Sequence, residues 1–293
     1  MRSIPLGPGA PQVSVIGYGG MHLSVTTERP SEDASIKVVH ASLDAGMTLI
    51  DTADVYCLSN TEIGHNERII ARALQTWSGN RDQILVATKG GLTRPNGSWE
   101  RDARPEQIRR ACDRSLKALG VERIDLYQLH APDEKVPFED TIGAFAELKR
   151  AGKVRWVGLS NVSVDQIERA NRVVPITTVQ NRLNPFFREA LGKGGVVDHC
   201  AEKGIGFLAY SPTGGGRLTK KLPTIPVLQE IARRRGASPH QACLAWVLAQ
   251  GSSVVAIPSA RTVGHARDSA GAGGVTLSPE DLRAIDAAEF SRA

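Results

Sequence analysis

Four side chains with complementary acid–base chemistry recur at the ends of apolar runs in this sequence. Asp51 and Tyr56 bound the segment Asp-Thr-Ala-Asp-Val-Tyr, Lys89 closes Ala-Thr-Lys, and His130 closes Asp-Leu-Tyr-Gln-Leu-His. A tyrosine with a pKa of about 10 is a poor acid at neutral pH. A neighbouring ammonium stabilises the phenolate and lowers that pKa. Lys89 can supply the ammonium. Asp51 can hold it charged and in place, because a buried lysine without a partner tends to lose its proton. His130 can hydrogen-bond a carbonyl group and orient it. Taken singly, each residue has a plainer use. Asp51 would cap a helix, Lys89 would sit on the surface, Tyr56 would pack, and His130 would be a satisfied core histidine. Their joint appearance at successive strand ends favours the chemical reading.

The elements that must position them are legible in the hydrophobic pattern. Short β-branched runs recur at 13–18, 48–51, 84–89, 124–130, 154–159, 177–180, 205–210 and 253–258. Helical patterns fill the gaps between these eight strand candidates. Ile108, Cys112, Ser115, Leu116 and Leu119 form one stripe, which Gly120 ends. Ser163 with Gln166 predicts a capping box. Ser238-Pro239 and Ser278-Pro279 each place proline in a first helical turn. Eight strands alternating with helices suggest a (β/α)8 barrel, with an open doubly wound sheet as the competitor. Several runs end in polar groups: Asp51, Lys89, His130, Asn161 just past Ser160, Gln180 and Tyr210. A barrel gathers such ends around one pocket, whereas an open sheet spreads them along a line. We therefore expect an α/β TIM barrel over residues 1–293 as a single domain. A short N-terminal β-hairpin, from about Ile4 to Val15, is expected to close its bottom.

Composition narrows the function classes. The chain has 293 residues, 41% hydrophobic and 23% charged, so it can bury a large core and is not intrinsically disordered. Aromatic residues make up only 5%, which leaves aliphatic side chains to fill that core. The net charge of +5 is mild, and its longest basic run, Arg233-Arg234-Arg235, reads as a helix end. No nucleic-acid or membrane partner is expected. Cys57, Cys112, Cys200 and Cys243 show no metal spacing, and no metal site is expected. No signal peptide or apolar run of about 20 residues is present, so a soluble cytoplasmic protein is expected.

The ordered motifs resemble the aldo-keto reductase superfamily from the first strand to the last helix. They are Gly17-Tyr18-Gly19-Gly20-Met21, Asp51 to Tyr56, Lys89, His130, Gly158-Leu159-Ser160-Asn161, Val179-Gln180-Asn181, Ala209-Tyr210-Ser211-Pro212 and Ile257-Pro258. The resemblance implies a barrel enzyme that reduces aldehydes or ketones reversibly, with NADP(H) as cofactor and Tyr56 as proton donor. It implies that Gly20, Met21 and Asp51 border the cofactor. Ser160, Asn161 and Gln180 would hydrogen-bond the nicotinamide carboxamide, and Tyr210 would stack on its ring. Ser211, Gly214 and Arg217 would lie along the pyrophosphate. Ser259 and Arg261 would meet a 2′-phosphate, which favours NADPH over NADH. No G-x-G-x-x-G fingerprint with a following acidic residue supports a Rossmann site instead.

The sequence also departs from that pattern. Many relatives carry a Glu-Asn pair to grip the adenine, where this chain has Asp268-Ser269, with His265 upstream. Cys57 replaces a common glycine, and is expected either as a packed or as a redox-sensitive thiol. The loop from Gly90 to Arg104 would overhang the pocket. Its Trp99 is expected either to touch an aromatic or apolar substrate beside Tyr56 and His130, or simply to pack. Two rival functions share the fold: an NADPH-binding regulatory subunit without turnover, and a Schiff-base aldolase using Lys89 as nucleophile. The Asp51–Lys89 pairing argues against the second, because a salt-bridged ammonium is a poor nucleophile. The substrate and the oligomeric state are not readable.

Overall fold

Alternation of strand and helix along the chain sets the architecture. The computed structural model describes residues 1–292. The strands are β1 (Ser3–Pro5), β2 (Gln12–Ser14), β3 (Tyr18–Gly19), β4 (Leu49–Asp51), β5 (Leu85–Gly90), β6 (Leu92–Thr93), β7 (Glu100–Arg101), β8 (Ile124–Leu129), β9 (Val154–Ser160), β10 (Ile176–Arg182), β11 (Gly206–Tyr210) and β12 (Val254–Ala256). The helices are α1 (Glu32–Asp44), α2 (His65–Thr76), α3 (Pro105–Leu119), α4 (Phe138–Arg150), α5 (Val164–Asn171), α6 (Val196–Lys203), α7 (Gly216–Thr219), α8 (Pro226–Arg235), α9 (Pro239–Leu248), α10 (Val263–Gly271) and α11 (Pro279–Ala287).

Eight strands form one parallel sheet in the order β3-β4-β5-β8-β9-β10-β11-β12. The two ends of that order meet. Gly17 donates to the Ala256 carbonyl at 2.9 Å, Ala256 donates to that of Val15, and Gly19 donates to that of Pro258. The sheet therefore closes into a (β/α)8 barrel. Close approach here needs glycine, because a Cβ on Gly19 would lie 2.7 Å from the Ile257 carbonyl oxygen.

The run at 13–18 serves two elements rather than one strand. Its first residues pair antiparallel with β1, in the register Ser3 to Ser14 and Pro5 to Gln12. Ser14 Oγ then donates to the Ile16 carbonyl at 2.7 Å, which bends the chain before β3 enters the barrel. The hairpin's Leu6 and Val13 pack with Leu49, Leu85, Leu126, Trp156 and Leu208 on the lower interior of the barrel. Trp156 Nε1 ties the hairpin down through the Gly9 carbonyl at 3.0 Å.

The main core lies between the sheet and the helical ring, where Val39, Ile70, Ile108, Phe145, Ile167 and Trp246 are buried. Local signals fix the helices. Ser163, Ser238 and Ser278 each form a complete capping box. Gly120 adopts φ +66° at the end of α3, and Arg233 to Arg235 finish α8 next to a buried Asp281. Among the described residues no helix is long and apolar enough to cross a membrane.

Candidate active site

The upper ends of β4, β5 and β8 converge. Asp51 is the last residue of β4, Lys89 is the fifth residue of β5, and His130 follows β8. The turn after Asp51 carries Tyr56 back over the barrel mouth, with Thr52 N bonded to the Ala87 carbonyl at 2.8 Å. Lys89 is fully buried. Its Nζ donates to Asp51 Oδ2 at 2.5 Å, to the Thr52 carbonyl at 2.9 Å and to Tyr56 Oη at 2.9 Å. Three acceptors satisfy the three ammonium protons, which is what a buried cation requires.

Asp51 is held on its other oxygen. Oδ1 accepts from Gln180 Nε2 at 2.7 Å and from Gln128 Nε2 at 3.2 Å. Gln128 was not among the expected site residues. It stands two positions before His130 on β8, so the period-two rule for strands places it on the same inner face and could have found it. Asn66 was missed as well. Its Nδ2 donates to the Gly20 carbonyl at 2.9 Å and its Oδ1 accepts from Thr52 Oγ1, which ties the glycine loop to the turn after Asp51.

Burial pulls the Lys89 ammonium down, but the carboxylate of Asp51 and the phenol of Tyr56 outweigh it, and its pKa stands above the ordinary value. Tyr56 departs from the expectation. Burial lifts its phenol above the ordinary value, and Lys89 only partly opposes this. The reason is that Lys89 shares its charge with Asp51, while desolvation of the phenolate is complete. Burial, and next the charge of Lys89, hold the His130 imidazole well below its ordinary value, so it is neutral at physiological pH. Among the described residues His130 Nδ1 is buried without a partner. An unprotonated Nδ1 is the cheaper atom to leave unpaired, which assigns the proton to Nε2. Such a site can hand a proton from a phenol to an oxygen and steady that oxygen with a neutral imidazole.

Three rings stand around the mouth. Tyr56 and His130 centroids are 5.8 Å apart, and Trp99 lies 6.4 Å from Tyr56 and 6.2 Å from His130. Cys57 is buried, its thiol donating to the carbonyls of Val55 and Ser59. Burial pushes that thiol up to about 11, so it is not a thiolate at neutral pH.

Several of the remaining expected residues stand at or just past strand ends. Ser160, at the end of β9, accepts from Asn161 Nδ2 at 3.1 Å, and Tyr210, at the end of β11, donates to Asn161 Oδ1 at 2.8 Å. Asn161 and Ser211 both take positive φ, +59° and +47°. This strain is held in place by neighbours such as Asn184, whose Nδ2 donates to the Ser211 carbonyl at 2.8 Å. Gly214, Gly215 and Gly216 run at φ +94°, +70° and +48°, a path that side chains resist, and the Gly214 N–H donates to the Ser211 carbonyl at 2.9 Å. Met21 opens a helical turn after Gly20. Ser259 bridges Gly19 across the barrel closure. Arg261 is exposed and has no ion pair among the described residues. The others are engaged elsewhere. Arg217 donates to the Arg292 carbonyl at 2.6 Å, Asp268 accepts from Ser238 Oγ at 3.0 Å, and the His265 amide donates to Thr262 Oγ1.

Residues 15–289 match the model of the aldo/keto reductase family. The chain belongs to that family. It is 32% identical to the aldo-keto reductase str7 of Strobilurus tenacellus, over 94% of this chain and 89% of the relative. It is 34% identical to a Glycine max protein named "Probable aldo-keto reductase 1", over 97% and 88%. Among solved structures, it resembles a glycerol dehydrogenase from Gluconobacter oxydans, with a TM-score of 0.84, 29% identity and coverage of 97% and 94%. It also resembles an aldo/keto reductase from Klebsiella pneumoniae in complex with NADP and acetate, with a TM-score of 0.82, 26% identity and coverage of 97% and 94%. Aldo/keto reductases are oxidoreductases acting at carbonyl groups, and so is this chain.

Proposed function

We propose that this chain reduces aldehydes or ketones to alcohols, reversibly, with NADP(H) as cofactor and Tyr56 as the general acid and base. The carrying observation is the Lys89 ammonium, 2.9 Å from Tyr56 Oη and paired with Asp51. During reduction the carbonyl oxygen gains negative charge and takes the Tyr56 proton. Lys89 stabilises the phenolate left behind, and Asp51 keeps Lys89 charged and aimed. His130, neutral, donates its Nε2 proton to the same carbonyl oxygen and fixes its direction. In oxidation the phenolate takes the alcohol proton back.

The residues present fit a nicotinamide dinucleotide. Ser160, Asn161 and Gln180 offer donors and acceptors to a carboxamide, and Tyr210 offers a flat face. Backbone N–H groups of Gly215 and Gly216 would meet the pyrophosphate, since that of Gly214 is taken by the Ser211 carbonyl, and Arg261 is available for a 2′-phosphate. The cofactor, when bound, supplies or accepts the hydride. For Arg217 to meet the pyrophosphate, its bond to the Arg292 carbonyl must give way. A panel of aldehydes, ketones and alcohols, followed by the near-ultraviolet absorbance of reduced nicotinamide, tests the proposal. Turnover is expected, with kcat/KM higher for NADPH than for NADH. Tight NADPH binding without turnover across the panel would favour a non-catalytic role. A higher kcat/KM for NADH would overturn the cofactor assignment.

A further inference from the structure

We infer that Arg94 is a specificity-positioning residue: it clamps Trp99 upright as a fixed aromatic wall over Tyr56 and His130, and so biases the site toward flat, apolar carbonyl compounds over polyhydroxylated ones. This rests on the carbonyl-reductase reading above and deepens it.

Arg94 is unusual for a cation. It is 4% exposed, yet it has no carboxylate partner among the described residues. Arginine is almost never so buried unless it is paired. Its Nε and Nη2 instead fork onto the Cys57 carbonyl at 3.2 and 3.1 Å, and Nη2 also reaches the Leu58 carbonyl at 3.4 Å. Nη1 is buried with no partner among the described residues. The guanidinium plane is covered by Trp99, whose ring centroid is 4.0 Å from Cζ. The backbone of Arg94 is fixed too. Its N–H donates to Asn60 Oδ1 at 2.7 Å, and its carbonyl accepts from the Asn60 N–H at 2.9 Å. A desolvated cation stacked on an indole face is the stronger form of that contact.

The clamp joins two loops that rise from neighbouring strands. Arg94 and Trp99 sit at the two sides of the tip between β6 and β7, where Asn96 and Gly97 turn through φ +49° and +83°. Cys57, Leu58 and Asn60 follow Tyr56 directly. Arg94 therefore references the position of Trp99 to the chain that carries the acid. Trp99 itself is 46% exposed, so packing alone does not explain why an indole stands there. The three rings meet edge to face at near-equal separations and form one continuous wall, and a substituent on the carbonyl that lies along it meets the indole. A flat apolar group gains contact there, while hydroxyl groups lose water without a replacement partner. Leu92, Val55 and Ala131 pack beside Tyr56 and back this wall with apolar side chains.

The test compares benzaldehyde with glyceraldehyde, using NADPH and the full chain. Trp99→Ala is expected to lower the benzaldehyde-to-glyceraldehyde ratio of kcat/KM by about tenfold, chiefly through KM. Arg94→Met, which removes the fork and the charge but keeps a long side chain, is expected to lower the ratio several-fold while the NADPH Kd stays within about twofold. The Arg94→Met and Trp99→Ala double variant should fall no further than Trp99→Ala alone. Should Arg94→Met fail to fold by circular dichroism, Arg94→Lys is read in the same way, since a lysine keeps the charge but cannot fork or stack flat. Equal losses on both aldehydes in a folded Arg94 variant, or an unchanged ratio in Trp99→Ala, would overturn the inference. A wild-type chain that turns over neither aldehyde would overturn the functional reading itself, and the inference with it.

Discussion

Two buried polar clusters lie back to back on β5, and they solve the problem of burying charge in opposite ways. Lys89 points into the barrel, and its neighbour Thr88 points out toward α2, as consecutive strand residues must. On the inner side a cation meets one carboxylate, and both charges are fully paired: Asp51 accepts from Lys89, Gln128 and Gln180. On the outer side two buried carboxyl groups, Asp54 and Glu67, face a partly exposed Arg114 whose Nη2 is 3.5 Å from Asp54 Oδ2. Thr88 Oγ1 donates to Glu67 at 2.6 Å, and Arg114 only partly offsets the burial of the pair. Burial, and next the charge of Glu67, drive Asp54 well above the ordinary carboxylate range, and burial drives Glu67 above it too. The inner cluster therefore matches a buried cation with a carboxylate, while the outer one leaves its buried carboxyl groups against a partly exposed cation, and their affinity for protons rises. A supplied cation marks the side where charge is used in chemistry.

The contrast can be broken from either side, and the inner cluster should respond most. Lys89→Met removes the group that stabilises the phenolate. The expected loss is about 10²–10⁴-fold in kcat, read in a steady-state aldehyde reduction assay. A loss under about threefold would mean that Tyr56 does not depend on its ammonium. Asp51→Asn leaves Lys89 charged in a buried site without its counter-ion, at a cost of about 3–5 kcal/mol in folding stability. Thermal melts of variant and wild type check this.

Glu67→Gln is the smallest test and the one with a pH signature. A carboxyl whose folded pKa is raised adds stability below its unfolded pKa and loses it as pH rises through the folded one. Wild type therefore loses stability above the ordinary glutamate value of 4.5, and the glutamine variant does not lose that share. The variant's Tm relative to wild type should rise as the pH is raised from 4.5 toward neutral. A difference independent of pH would show that folding does not shift the Glu67 pKa.

Much of the inner cluster was legible because strand periodicity and catalytic chemistry both point at the same strand ends. Asp51, Lys89 and His130 stand where apolar runs stop, so their convergence followed once the runs were seen as one closed sheet. The capping boxes at Ser163, Ser238 and Ser278 were legible for a local reason, since the interaction spans three residues. The split of 13–18 between hairpin and barrel was not, because it depends on a bend set by Ser14 and on a hairpin partner nine to eleven residues upstream in the register. The sign of the Tyr56 shift was missed because residue types show the ammonium but not how completely the phenol is desolvated. Asn66 and Arg94 were missed for a related reason. Each acts by bonding backbone carbonyls of loops distant in sequence, a use that leaves no periodic trace.

The central claim is that Tyr56 moves the proton. Tyr56→Phe keeps the ring and removes only the hydroxyl, so NADPH binding should persist in a fluorescence titration. The account predicts that kcat for aldehyde reduction then falls by about 10²-fold or more. A variant that binds NADPH and turns over at the wild-type rate would contradict it.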